Sequence, residues 1–206
     1  MTSPAEGVVD LYSRRAREFD ADRTRTLFER PWLDAFLAHV PEAGTVLDLG
    51  CGSGEPIARH LIEQGRRVTG VDASPGLIDL CRGRFPDHDW RIGDMRALDP
   101  EEPFDGVVAW HSLIHLAPAD QPAMFGLFAR CLRPGGVLLF TSGSERGETI
   151  GDWRGETLYH GSLSLEDYRA GLETAGFDLL RHVSGDPGCG GATVWLARRR
   201  GGKVAG

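Results

Sequence analysis

From Thr45 onward the chain alternates short apolar runs with longer stretches of helical spacing, the pattern of a parallel sheet covered by helices. Strands are expected at Thr45–Leu49, Arg67–Val71, Asp89–Ile92, Phe104–Trp110, Gly136–Thr141, Asp178–Val183 and Thr193–Ala197, enough for one open sheet. Helices are expected at Glu55–Glu63, Pro75–Arg84, Ala119–Leu132 and Ser164–Ala175. Pro75 suits a first turn, Ser164 with Asp167 an N-terminal cap, and Gly176 a stop. Before this alternation, Leu11, Phe19, Leu27, Phe28, Trp32, Phe36 and Leu37 follow amphipathic helical spacing and predict a helical cap over residues 1–44. Residues 143–162, with five glycines, Trp153 and Tyr159, read as a lid loop. Residues 45–142 form the core half, 163–198 a helix and hairpin, and 199–206 a tail.

Composition narrows the class without naming it. The 206 residues include 23 basic and 30 acidic side chains, a net charge of −7, and are 41% hydrophobic, which suits one folded domain. The acidic balance argues against a duplex-binding protein, and the basic tail Arg198, Arg199, Arg200 and Lys203 reads as a solubilising end. No apolar run is long enough to span a bilayer, the first ten residues lack a secretory pattern, and the expected address is the cytoplasm. Cys51, Cys81, Cys131 and Cys189 form no CxxC pair, so neither a zinc site nor a disulfide framework is written. Oligomeric state has no signature here.

The segment Val46-Leu47-Asp48-Leu49-Gly50-Cys51-Gly52-Ser53-Gly54 runs from an apolar strand into a glycine turn that opens a helix. Such turns let backbone amides approach a ligand. Asp72 follows at the end of the next strand, where a carboxylate meets ribose hydroxyls. The spacing Gly50-x-Gly52-x-Gly54 brings the third glycine one residue early for the dinucleotide fingerprint. After the third strand, Gly93-Asp94-Met95 supplies a carboxylate for an exocyclic amine and a thioether for a purine face.

In this order the motifs resemble the class I S-adenosylmethionine-dependent methyltransferases, in particular small bacterial ones acting on small molecules. Phe104-Asp105-Gly106-Val107-Val108-Ala109 and Leu132-Arg133-Pro134-Gly135-Gly136-Val137-Leu138 extend the likeness, which spans Thr45 to Ala197. The resemblance implies a doubly wound, seven-stranded, mostly parallel sheet whose last strand is antiparallel between its neighbours. It implies S-adenosyl-L-methionine as cofactor, S-adenosyl-L-homocysteine as product, and a methyl acceptor that is a small molecule. Gly50 and Gly52 would meet the methionine part, Asp72 the ribose hydroxyls, Asp94 and Met95 the adenine, and the Ala109 carbonyl the amino group, with Asp48, Cys51 and Ala73 as further cofactor contacts. Tyr12 belongs to an amino-terminal segment that closes over the cofactor in the family, although tyrosine is more usual where this chain has Phe19.

For the chemistry, Trp110-His111-Ser112-Leu113-Ile114-His115 leaves the fourth strand with two imidazoles at i, i+4, on one face if the segment is helical. His111 is the candidate base, while Trp110, His115, Trp153, Tyr159 and His160 are candidate acceptor contacts. The same two histidines with His160 or Asp120 are a weaker metal reading, and no metal is expected because HExxH is absent. The competing functions are a non-catalytic S-adenosylmethionine-binding protein and an NAD(P)-dependent oxidoreductase.

Overall fold

The computed structural model describes residues 4–201, so Lys203 of the tail lies outside the described residues. The helices are α1 (Pro4–Arg14), α2 (Ala16–Asp22), α3 (Arg30–Leu37), α4 (Ile57–Glu63), α5 (Pro75–Arg84), α6 (Gln121–Cys131) and α7 (Leu165–Thr174). The strands are β1 (Thr45–Leu49), β2 (Arg67–Asp72), β3 (Asp89–Ile92), β4 (Phe104–Ala109), β5 (Leu132–Ser142), β6 (Gly147–Trp153), β7 (Glu156–Ser162), β8 (Phe177–Asp186) and β9 (Ala192–Arg199).

Seven strands make one sheet in the order β3-β2-β1-β4-β5-β9-β8. Strands β1 to β5 pair in parallel, and β9 runs antiparallel to both β5 and β8. The order reverses between β1 and β4, and in such sheets ligands settle at the carboxyl ends of the strands beside that reversal.

Side chains of a strand point alternately to its two faces, and both faces here are covered. Val46, Val108, Val137, Leu139, Val194 and Leu196 pack with Trp32, Leu33, Phe36, Ile57, Leu61 and Ile78 on one side. On the other, Leu47, Leu49, Val107, Leu138, Phe140 and Trp195 meet Met124, Phe128, Tyr168 and Leu172. Each large apolar side chain buried this way contributes about 1.5–3 kcal/mol. The helix boundaries follow local chemistry. Ser74 accepts from the Leu77 amide at 3.4 Å ahead of Pro75, and Ser164 with Asp167 forms a reciprocal capping box.

Two expectations change and one open condition is resolved. The segment 143–162 is an antiparallel hairpin of β6 and β7 rather than a loop, turned by Arg154 and Gly155 at φ 57° and 78°, the geometry of a tight two-residue turn. The Trp110–His115 segment is not an α-helix: His111 sits at φ 53°, and Leu113–His115 make a single 3-10 turn. Strand β5 begins at Leu132 instead of Gly136, because Leu132 pairs with Phe104 before a shift in register. All four cysteines are buried and free. Among the described residues, no cluster of potential metal ligands occurs and no helix is long and apolar enough to cross a membrane.

Candidate active site

A cavity of about 570 Å³ opens at the carboxyl ends of β1, β2 and β4 and continues under α1, a size suited to small ligands. Its floor is the glycine loop. Gly50 and Cys51 donate their amides to the Val71 carbonyl at 2.8 and 3.2 Å, which ties the loop to β2. Gly50 has φ 73°, and a Cβ there would meet the Ser112 Cβ at 2.2 Å, so a side chain is excluded on two counts. Ser112 is held by its own hydroxyl, which donates to the Leu49 carbonyl at 2.6 Å.

Asp72 secures the other side. Its two oxygens accept from the amides of Gly52 and Ser74, each at 2.9 Å, and a carboxylate so engaged still has lone pairs for further donors. Burial pushes the Asp72 carboxyl up, opposed by those two amides. Asp48 is 3% exposed yet lines the cavity. Burial, reinforced by the Asp72 charge and opposed by Arg23, raises its carboxyl to about 7. Among the described residues Asp48 has no ion-pair partner, and such a buried acid is poised to receive a cation from a ligand.

Arg23 lines the same end. Its guanidinium donates to Glu29, a fully buried carboxylate, at 2.9 Å, and to the Glu55 carbonyl at 3.4 Å. Together Asp48 and Arg23 offer an anion and a cation beside the glycine loop, the complement of an amino acid's ammonium and carboxylate. At the far end stand Asp94 and Met95. Arg96 holds Asp94 through two-pronged bonds and also reaches Asp120 at 2.8 Å, and the Arg96 bonds draw the Asp94 carboxyl below its usual range.

The roof is aromatic. Tyr12 and Phe19 meet edge to face at 4.9 Å, and the Tyr12 hydroxyl reaches His115 Nε2 at 3.3 Å. His115 Nδ1 donates to the Tyr159 carbonyl at 3.1 Å, and its ring stacks on His160 at 5.3 Å. Burial, more than any other cause, depresses His111 and His115 to about 4, with Arg23 adding to the effect at His111. Both imidazoles are therefore neutral near pH 7. Trp153, at the hairpin tip, packs 6.3 Å from both Tyr12 and Phe19, and its Nε1 donates to Asp22 at 3.1 Å.

Of the residues singled out in the sequence, Tyr12, Asp48, Gly50, Cys51, Gly52, Asp72, Ala73, Asp94, Met95, Trp110, His111, His115 and His160 line this one cavity. Ala109 does not. It is wholly buried as the last residue of β4, opposite Phe140, and the wall begins at Trp110. Trp153 covers the roof from outside. Tyr159 contributes its carbonyl, while its hydroxyl donates to Glu148 at 3.0 Å. Sequence reasoning passed over Arg23, Glu55 and Ser112. No local pattern in the sequence marks Arg23 as inward.

The sheet order and the glycine loop at its reversal define a Rossmann-like doubly wound nucleotide-binding architecture. Residues 46–136 match the family described as methyltransferase domain. Malonyl-[acyl-carrier protein] O-methyltransferase of Serratia marcescens is 34% identical over 140 residues, covering 66% of this chain and 52% of that one. Trans-aconitate 2-methyltransferase of Azoarcus sp. (strain BH72) is 37% identical over 125 residues, covering 59% and 46%. The chain thus spans about half the length of these relatives. Among solved structures, the DhpI–SAH complex superposes with a TM-score of 0.75 at 22% identity, covering 98% of this chain and all of that one. Over residues 46–136 the chain is thus similar to methyltransferase domains, and its fold is that of the DhpI–SAH complex.

Proposed function

We propose that this protein binds S-adenosyl-L-methionine in the cavity and transfers its methyl group to an oxygen or nitrogen of a small molecule, releasing S-adenosyl-L-homocysteine. The observation that carries this reading is the single cavity that joins the glycine loop, Asp48, Asp72, Met95 and Tyr12. The residues fit the cofactor part by part. Asp72 would accept from the ribose hydroxyls, Asp48 would meet the ammonium, Arg23 the carboxylate, and Asp94 with Met95 the adenine.

The sulfonium supplies an electrophilic methyl, so the protein's own task is to align the acceptor and exclude water. Tyr12, Phe19 and Trp153 close the roof above the loop, and Tyr12 with His115 places a polar pair inside it. Calorimetric titration tests the reading. S-adenosylhomocysteine should bind and NAD⁺ should not; the reverse would favour the oxidoreductase alternative. Asp72→Ala should weaken S-adenosylhomocysteine at least about tenfold, or 1.4 kcal/mol. Methyl transfer in a screen of small acceptors with labelled donor separates the enzyme from a non-catalytic binder.

A further inference from the structure

Two thiols meet at the glycine loop. Cys51 follows Gly50 in the loop and lines the cavity, whereas Cys81 lies wholly buried near the carboxyl end of α5. They converge on one carbonyl. Cys81 Sγ donates to the Gly52 oxygen at 3.2 Å, Cys51 Sγ reaches the same oxygen at 3.7 Å, and the two thiols hydrogen-bond each other.

The pair sits between the two holders of Asp72. One Asp72 oxygen accepts from the Gly52 amide and the other from Ser74, the residue that caps α5. A bond between the sulfurs would therefore join the loop and the helix that fix this carboxylate. Bonded sulfurs lie much closer than hydrogen-bonded ones, and the Gly52 carbonyl would lose both S–H donors. The cradle would have to shift.

Exposure sets the order of attack. Cys51, at the cavity wall, is the sulfur that a small oxidant meets, and Cys81 stands behind it to resolve the product. The hydrogen bond to Cys81, then burial, holds the Cys51 thiol well above its ordinary range, with Asp48 and Asp72 adding to the effect. Oxidation is accordingly slow and governed by access.

Resting on the reading of this cavity as the S-adenosylmethionine site, we propose that Cys51 and Cys81 are a reversible redox pair: hydrogen peroxide reaching the cofactor-free cavity converts them to a disulfide that weakens cofactor binding, and bound cofactor shields them. The Cys51 sulfur takes one peroxide oxygen as the oxygen–oxygen bond breaks, giving a sulfenic acid and one water. The Cys81 sulfur then bonds to the Cys51 sulfur, and its proton leaves with the sulfenic hydroxyl as a second water. Two thiols lose two electrons and the peroxide gains them; an external dithiol reverses the change. Because the oxidised form binds cofactor less tightly, cofactor must disfavour oxidation by the same factor.

The test treats the reduced whole chain with hydrogen peroxide at about pH 8.5, near the ordinary thiol value, with and without saturating S-adenosylhomocysteine. Free thiols are then alkylated and disulfides mapped by mass spectrometry. The expected result is a Cys51–Cys81 bridge whose formation S-adenosylhomocysteine slows at least about tenfold. Calorimetry should find S-adenosylhomocysteine bound at least about tenfold more weakly by the bridged protein, with dithiothreitol restoring affinity. In Cys81→Ser the Cys51 sulfenic acid should persist and be trapped by dimedone. Both thiols unbridged after peroxide, a bridge to Cys131 or Cys189 instead, no trapped sulfenic acid in Cys81→Ser, no protection by bound ligand, or unchanged affinity in the bridged protein each overturns the proposal. Failure of the reduced protein to bind S-adenosylhomocysteine sinks the methyltransferase reading instead, while the disulfide map still judges the pair.

Discussion

The Tyr12 hydroxyl and His115 Nε2 lie 3.3 Å apart, joining helix α1 to the turn that follows β4 above the glycine loop. The bond couples the cap to the sheet at the point where an acceptor would sit. His115→Ala removes a partner from both Tyr12 and the Tyr159 carbonyl, and each unpaired buried group costs about 1–3 kcal/mol. Chemical denaturation should record a loss of that order, whereas Tyr12→Phe, which leaves the ring packing in place, should lose less. Equal losses in the two variants would mean that the hydroxyl, and not the imidazole, organises the roof.

Gly50→Ala should be among the most damaging single-methyl additions in the chain. The new Cβ overlaps Ser112 and the backbone is left-handed, so a cost of about 1–3 kcal/mol is expected from the backbone alone. Thermal unfolding should show the loss, and calorimetry should show S-adenosylhomocysteine binding abolished.

Asp48 makes stability depend on pH in a defined direction. Its carboxyl stands at about 7 in the folded protein, against about 4 in an unfolded chain. A raised pKa means that the folded state holds the proton more tightly, so the contribution is fully present below about pH 4 and is lost as pH rises through about 7. Asp48→Asn should therefore stabilise the ligand-free protein relative to wild type more at alkaline than at acid pH. The same variant should bind S-adenosylhomocysteine more weakly. A stability difference that is flat with pH would show that Asp48 is ionised throughout.

The hairpin tip is pinned to the cap by charge. Arg154 grips Asp22 at 2.7 Å through both arms of its fork, and Arg14 and Arg15 each reach Glu156 at 3.2 Å. These pairs are largely exposed and individually worth little, so Asp22→Ala with Glu156→Ala should barely alter the unfolding midpoint. Stopped-flow measurements should instead find faster association of S-adenosylhomocysteine, because the hairpin and α2 then separate more readily. Unchanged association would mean that ligand enters by another route.

How far the sequence revealed this site depends on whether each element carries its own signal. Strand β1, Gly50, Gly52 and Asp72 were legible because one short segment contains strand, turn and helix, and because the acid follows at a fixed spacing. The hairpin was not. Strand β6 is exposed along nearly its whole length and has no apolar alternation, so its polar residues and glycines imitate a loop. Arg23 was missed because its role comes from Glu29, whose complete burial follows from tertiary packing. Whether Trp110–His115 is helical was not legible for a related reason: the His111 amide donates to Thr141, thirty residues away, at 2.8 Å.

The wall of the cavity away from the glycine loop comes from segments that are separate in sequence from the sheet, namely α1 and α2, the short turn after Trp110 and the returning arm of the hairpin. Grafting those pieces from another protein of this architecture onto strands β1 to β5 would reshape the upper wall of the cavity while leaving the glycine loop and Asp72 untouched. Diversification in such a scaffold can proceed by replacing its canopy.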